Sequence, residues 1–302
     1  MILTGENYYS LEADREYMSC SQFQDFCSCE ARAMAKLNGK YIPQPSEALI
    51  VGNYFHTAME SEQAHEEFCF EHFDEIFKSK TDKKTGEVTA YGKYAPYVKA
   101  DEMIDVCRRD PLIKSLIEMD GQNEVIMTGE LFGIKWKIRL DKYIPEQRII
   151  IDYKTTADIN KTEYNSLTGE RESFVEALGY MMRAAVYTEI EKQYSHSSTD
   201  AKFIIVAVSK QDPPDKAALL LNHRQRYDWE LEQVEKKLAN IRRIKDGSLA
   251  PRRCGMCDYC RETKVLKKIM PYYVLNPRFR EEKEEEYDYY VSAADLENAP
   301  KA

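Results

Sequence analysis

Three charged residues carry the chemistry most legible in this sequence. Between positions 129 and 156, in GELFGIKWKIRLDKYIPEQRIIIDYKTT, Asp141 closes an apolar/polar alternation, and Asp152 and Lys154 close the run IIIDYKTT. Residues i and i+2 of a strand project from one face, so Asp152 and Lys154 point together. A hairpin-like return brings Asp141 beside them. Two carboxylates and a lysine converging at strand ends suit a hard divalent cation with a water held next to it, the arrangement that metal-assisted phosphodiester hydrolysis needs. The alternative is a solvated hairpin with ordinary surface ion pairs, since charged residues make up 31% of the chain. Local pattern favours the site. Ile149, Ile150 and Ile151 read as a buried strand before Asp152, Thr155 and Thr156 follow Lys154, and Ile134, Trp136, Ile138 and Leu140 alternate into Asp141.

Cysteines form a second constellation. Cys254, Cys257 and Cys260 stand as C-x2-C-x2-C, and Cys20, Cys27 and Cys29 cluster near the start of the chain. Three thiolates at that spacing need a fourth ligand to complete a tetrahedral Zn²⁺ site or a [4Fe–4S] site. Cys29 is the first candidate, with Cys20 and Cys27 behind it. Cys69 and Cys107 sit alone in helical stretches and read as core thiols.

These residues need elements to position them. Residues 19–38 read as a helix capped by Ser19 or Ser21, with Phe23, Phe26, Ala33 and Leu37 on its apolar face. Residues 46–76 form a second helical region and 79–96 a polar loop. A helix is expected over 97–118, strands over 124–156, a helix over 172–193, a strand over 203–208 and a charged helix over 226–246. The order of helix, three strands, helix, strand, helix gives one α/β domain with a mixed central sheet flanked by helices. We expect this domain to run from 1 to 270, with an acidic, tyrosine-rich tail over 271–302. That tail is either a solvated segment or an acidic peptide for a basic groove or a partner.

Composition bounds the function. The chain has 302 residues, 43% of them hydrophobic, and a net charge of −9, which excludes a simple basic DNA-coating protein. No run of 18 or more apolar residues exists to span a membrane. The first residues lack a basic segment leading into an apolar run, so the expectation is a cytoplasmic protein, in which eight cysteines serve metal or core rather than disulfides.

The Asp141 and Asp152-Tyr153-Lys154 pattern resembles the PD-(D/E)xK nuclease superfamily, and the likeness extends along the chain. SCSQFQDFCSCEARA at 19–33, Gly52 to His56 in GNYFHTAME, an Asp eleven residues before the D-x-K, and ALGYMMRAAVY at 177–187 are similar to the phage and prophage exonucleases typified by RecE (exonuclease VIII) over roughly residues 17–265. The resemblance implies a restriction-endonuclease-like core and a Mg²⁺- or Mn²⁺-dependent DNA exonuclease that resects linear duplex DNA for phage recombination or repair. It implies a single-strand annealing recombinase as partner and leaves a homo-oligomer open. His56, Asp141, Asp152 and the Tyr153 carbonyl would hold the metal, with Lys154 catalytic. Glu60, one turn after His56, either assists through a water or is solvated. Tyr180, Arg183 and Tyr187 would contact DNA, Arg183 standing where the family carries Gln. Core aromatics with exposed hydroxyls are the alternative for the two tyrosines. The cysteines resemble those of the iron–sulfur nucleases of the AddAB and CRISPR-acquisition types, with a spacing that departs from them. An iron–sulfur end-processing nuclease and a non-catalytic DNA-binding or assembly protein on the same fold remain the rival readings.

Overall fold

The computed structural model describes residues 1–86, 88–165, 168–266 and 272. Met1–Arg252 form one compact unit, and the chain from Arg253 onward forms a second, described by itself below. In chain order the first unit holds α1 (Leu11–Glu16), α2 (Cys20–Ser28), α3 (Glu30–Leu37), α4 (Glu47–Glu60), α5 (Glu62–Glu71), α6 (Phe73–Ile76), β1 (Phe77–Thr81), β2 (Val88–Lys93), α7 (Ala95–Arg109) and α8 (Pro111–Glu118). It continues with β3 (Gln122–Leu131), β4 (Ile134–Ile144), β5 (Ile149–Thr156), β6 (Glu163–Asn165), β7 (Glu170–Glu172), α9 (Phe174–Ala177), α10 (Tyr180–Ser195), β8 (Lys202–Ser209), β9 (Lys216–Leu221) and α11 (Arg224–Lys245).

The central sheet has five strands in the order β3-β4-β5-β8-β9. β5 and β8 run parallel and the other neighbours antiparallel, so the sheet is mixed as expected. β3 and β4 form a hairpin closed by Phe132 and Gly133, both at positive φ (55° and 69°). That pair of conformations makes a two-residue turn whose twist matches the strands it joins.

Alternation along the strands supplies two cores. Ile150 on β5 and Phe203, Ile205 and Ala207 on β8 face α2, α3, α10 and α11. Ile149, Ile151, Tyr153, Val206 and Val208 face α4, α7 and α8. Helices therefore cover both sheet faces, which is why these strands read as continuous apolar runs.

Several expected elements are divided, each by an identifiable residue. The helix over 19–38 breaks at Cys29, whose backbone is extended (φ −161°, ψ 105°). The stretch 46–76 becomes three helices, Ser61 ending α4 and capping α5 through its side chain. The helix over 97–118 stops at Asp110, whose side chain accepts from the N–H groups of Leu112 and Ile113 while Pro111 opens α8. The helix over 172–193 breaks at Gly179, which takes a left-handed conformation (φ 75°). The polar loop over 79–96 is instead the β1–β2 ribbon leading into α7. Both ribbon faces are wet, so no apolar alternation marked them as strands. The expected acidic tail over 271–302 lies outside the described residues, apart from Tyr272.

Candidate active site

The ladder between β4 and β5 ends at Lys142 opposite Ile151. Asp141 and Asp152 are the next residues on the two strands, at the point where the strands part. Asp141 takes the place of the missing ladder partner, its Oδ2 accepting the Tyr153 N–H at 2.8 Å. On the open edge of β4, Met18 pairs with Trp136 as an isolated bridge, so the N-terminal segment walls the opening from the other side. A cleft of about 480 Å³ results, lined by Tyr8, Tyr9, His56, Arg139, Asp141, Lys154, Tyr180, Arg183 and Tyr187 among others.

Lys154 sits at the centre of the acidic groups. Its Nζ lies 2.6 Å from Asp152 Oδ2 and 3.6 Å from Asp141 Oδ2. It also donates to the Tyr153 carbonyl at 3.0 Å. One cation is thus surrounded by the three oxygens assigned to metal from the sequence.

His56 projects from α4 while Val51, Tyr54, Phe55, Ala58 and Met59 bury the helix. Its Nδ1 is 3.4 Å from Asp141 Oδ2 and its Nε2 is 2.8 Å from Glu124 Oε1. Arg139 Nε closes the network at 2.6 Å from Glu124 Oε2.

The electrostatics follow from this packing. Burial opposes charge on His56, but the Asp141 and Glu124 carboxylates outweigh it and hold the imidazole up to about 10. Burial likewise disfavours the Asp141 carboxylate, but Lys154 and His56 overcome it and keep Asp141 below the usual range. For Asp152 burial wins over Lys154 and the group is raised. Two carboxylates in one site with acidities pushed apart are a signature of functional centres. Glu60 is raised by burial and by the nearby Glu124 charge, so it belongs to the same acidic rim.

The residues expected on α10 share the cleft face at i, i+3 and i+7. Arg183 Nη1 is 3.8 Å from Asp152 Oδ1, and its guanidinium lies 6.0 Å and 5.8 Å from the ring centres of Tyr180 and Tyr187. Tyr187 is only 6% exposed and packs edge-on to Phe203, so its ring belongs to the core.

Sequence reasoning missed Glu124, Arg139, Tyr8 and Tyr9. Glu124 lies between Asn123, paired with Lys142, and Val125, paired with Leu140, which sets it across from Asp141. It holds a positive φ of 55°, a costly conformation for a glutamate and one that clusters at functional sites. Counting register back from the Phe132-Gly133 turn was the signal available for it.

His56, Glu124 and Asp141 each offer a ligand atom, all within 4.8 Å of one another. With Asp152 and the Tyr153 carbonyl, the donor set is carboxylate, carbonyl and imidazole. It fits Mg²⁺ or Mn²⁺ and contains no thiolate.

In the second unit, Cys254, Cys257 and Cys260 surround a tight turn that leads into α12 (Asp258–Glu262). Cys254 Sγ lies 3.9 Å from Cys260 Sγ. It also accepts from the N–H groups of Met256 at 3.5 Å and Cys257 at 3.3 Å. Gly255 at φ 77° permits the turn. Sulfurs on a tetrahedral Zn²⁺ at about 2.3 Å stand about 3.8 Å apart, so the spacing fits a metal. In the first unit, Ala31 N–H donates to the Arg252 carbonyl at 3.0 Å and Arg252 N–H to Glu30 at 2.7 Å. Arg252 is two residues before Cys254, and Glu30 directly follows Cys29.

Residues 19–263 match the family described as PDDEXK-like domain of unknown function (DUF3799). Among solved structures, the chain is similar to the "Putative exonuclease" from Eubacterium rectale, at 36% identity and a TM-score of 0.79, covering 92% of this chain and 99% of that one. SSO0001 aligns at 13% identity with a TM-score of 0.29, covering 80% of this chain and 91% of that one, a level that carries no argument. No curated protein matches. The restriction-endonuclease-like core and the Asp141/Asp152-x-Lys154 pattern thus agree with the family match, and the chain belongs to the PDDEXK-like family.

Proposed function

We propose that this protein is a Mg²⁺- or Mn²⁺-dependent DNA exonuclease that resects linear duplex DNA. The observation that carries the reading is the convergence of Asp141, Asp152 and the Tyr153 carbonyl around the Lys154 ammonium, with His56 and Glu124 beside them, where β4 and β5 separate. The name of the Eubacterium rectale neighbour supports the exonuclease choice over other phosphodiester chemistry. Phage recombination or repair, with a single-strand annealing recombinase as partner, is the setting this reading proposes.

A divalent ion bound among these donors would neutralise phosphate charge and make a water more acidic. The protein's own residues supply placement and charge. The water oxygen bonds to phosphorus and gives up a proton to solvent, the bond to the 3′ oxygen breaks in line, and the departing oxygen takes a proton from solvent. Lys154 is an ammonium in this environment, raised by Asp152 and Asp141 against the effect of burial. It therefore acts as a donor to the phosphoryl oxygens or the attacking water. Arg183, held between Tyr180 and Tyr187, adds positive charge along the same wall. Preorganised donors and charges of this kind act where charge develops in the transition state.

We propose further that Cys254, Cys257 and Cys260 hold a structural Zn²⁺ or [4Fe–4S] centre, with Cys29 as fourth ligand. The hydrogen bonds of Arg252 to Glu30 and Ala31 support that choice over Cys20 and Cys27. Cys20 is buried among Phe23 and Trp136 in the core, and Cys27 lies on the exposed side of α2.

Degradation of 5′- and 3′-labelled linear duplex DNA in Mg²⁺, with a closed circle as control, tests the function. Loss of the linear DNA and survival of the circle is the expected result. Cutting of the circle would replace the exonuclease reading by an endonuclease one, and inertness toward both would favour a binding protein.

A further inference from the structure

We propose that the β1–β2 ribbon is a docking element for the phosphate backbone of duplex DNA; this rests on the nuclease reading of the cleft. The chain carries a net charge of −9, so a polyanionic substrate meets general repulsion. Residues 77–93 run against that trend, with five lysines against Asp82 and Glu87. In the cleft, Arg139, Lys154 and Arg183 each have a carboxylate partner. On the ribbon, Lys78, Lys80, Lys83 and Lys84 have no ion-pair partner among the described residues. Five lysines less Asp82 and Glu87 leave residues 77–93 with a net charge of +3.

The ribbon is also built to meet something. Every described residue from 78 to 92 is exposed, so among the described residues neither face of the ribbon is buried against the rest of the chain. A free two-stranded hairpin is at best marginally stable in water. This one is fixed at its root and its tip. Lys93 Nζ donates to Tyr54 Oη at 2.6 Å and to Asp101 Oδ2 at 2.7 Å. At the tip, Asp82 Oδ1 accepts the N–H groups of Lys84 at 2.7 Å and Thr85 at 3.0 Å. Ser79 pairs with Ala90 and Lys78 with Gly92, leaving Tyr91 as an extra residue, 69% exposed. Such an irregularity increases the twist of the ribbon. A twisted two-stranded ribbon fits a DNA groove, with its lysines toward the flanking phosphates. Tyr54 stands two residues before His56 on α4, so the ribbon and the cleft share one anchoring helix.

Charge complementarity selects DNA over a second copy of this chain. A copy paired edge to edge would set its own ribbon lysines against these, like charge opposite like charge.

The test compares wild type with a variant carrying Lys78→Gln, Lys80→Gln, Lys83→Gln and Lys84→Gln. Binding of a labelled linear duplex is read by fluorescence anisotropy without divalent ion, across a salt series. The expected result is a slope of log affinity against log salt smaller by about 3 to 4, with affinity at low salt reduced ~tenfold or more. The four Lys→Arg changes should restore the wild-type slope. Hydrolysis of a small phosphodiester ester should match wild type in both variants, since neither touches the cleft. An unchanged slope would overturn the proposal. So would a dimer in light scattering that the Gln variant breaks, because the ribbon would then join copies. Wild type that binds DNA with the stated slope and never cleaves it would sink the nuclease reading while leaving the ribbon's role intact.

Discussion

Asp141 reaches toward α4 and Asp152 toward α10, yet both share the Lys154 ammonium at 3.6 Å and 2.6 Å. Burial nonetheless raises Asp152, while Lys154 and His56 together hold Asp141 low, and the Asp141 and Glu124 carboxylates keep His56 charged in the absence of metal. A raised histidine pKa contributes stability that is fully present below its unfolded value of about 6.5 and is lost as pH rises through about 10. Metal needs the neutral imidazole, so the two compete. Metal affinity should therefore climb between pH 7 and 9, and calorimetry in buffers of different ionisation heat should show about one proton released per Mn²⁺ bound near pH 7.5. His56→Ala should remove that proton release, and release equal to wild type in this variant would show that His56 is not a ligand. Glu124 orients the same imidazole. Glu124→Ala should cost roughly 10- to 100-fold in metal affinity or cleavage rate, the range found for residues that hold a ligand in place. A change below twofold would leave Glu124 outside the site.

At the scale of elements, the site exists because two strands separate and two helices begin at set points. Gly179 starts α10 at φ 75°, and a Cβ there would lie 2.5 Å from Gln24 Nε2. Gly179→Ala should cost about 1 kcal/mol or more of stability, checked by denaturant unfolding, and should weaken cleavage by shifting Tyr180 and Arg183. Unchanged stability and rate would show that the break at Gly179 does not set the position of α10. The strands bearing Asp141, Asp152 and Lys154 were legible because alternation and apolar runs are local properties. The breaks at Cys29, Asp110 and Gly179 were less so, since each depends on a cap or turn that packing stabilises. The ribbon carried no signal because both its faces are polar. β9 was missed because its sequence, KAALLL, shows no apolar/polar alternation, although its burial alternates on the sheet edge. Glu124 was hidden because its importance comes from register, and a lone glutamate before a strand resembles any other.

For the whole molecule, the cysteines pose the larger energetic question. Cys29 and Cys254 are separated by 225 positions, so a shared metal would close most of the chain into one loop. Purified protein should carry about one Zn²⁺, or one iron–sulfur centre with its brown absorbance, per chain. Cys257→Ser should lose it, with a stability loss on the order of 3 kcal/mol, or roughly 10 °C in melting temperature. Metal content and melting point equal to wild type would contradict the assignment. The central claim concerns the cleft, and it is tested most directly by nucleotide release from linear duplex DNA in Mg²⁺, wild type and Asp152→Ala side by side, with circular dichroism to show both folded. The account predicts release by wild type and a rate at least ~100-fold lower in the variant, a barrier increase of about 3 kcal/mol or more. A folded Asp152→Ala variant that releases nucleotides within about threefold of wild type, a barrier change under ~1 kcal/mol, would contradict it.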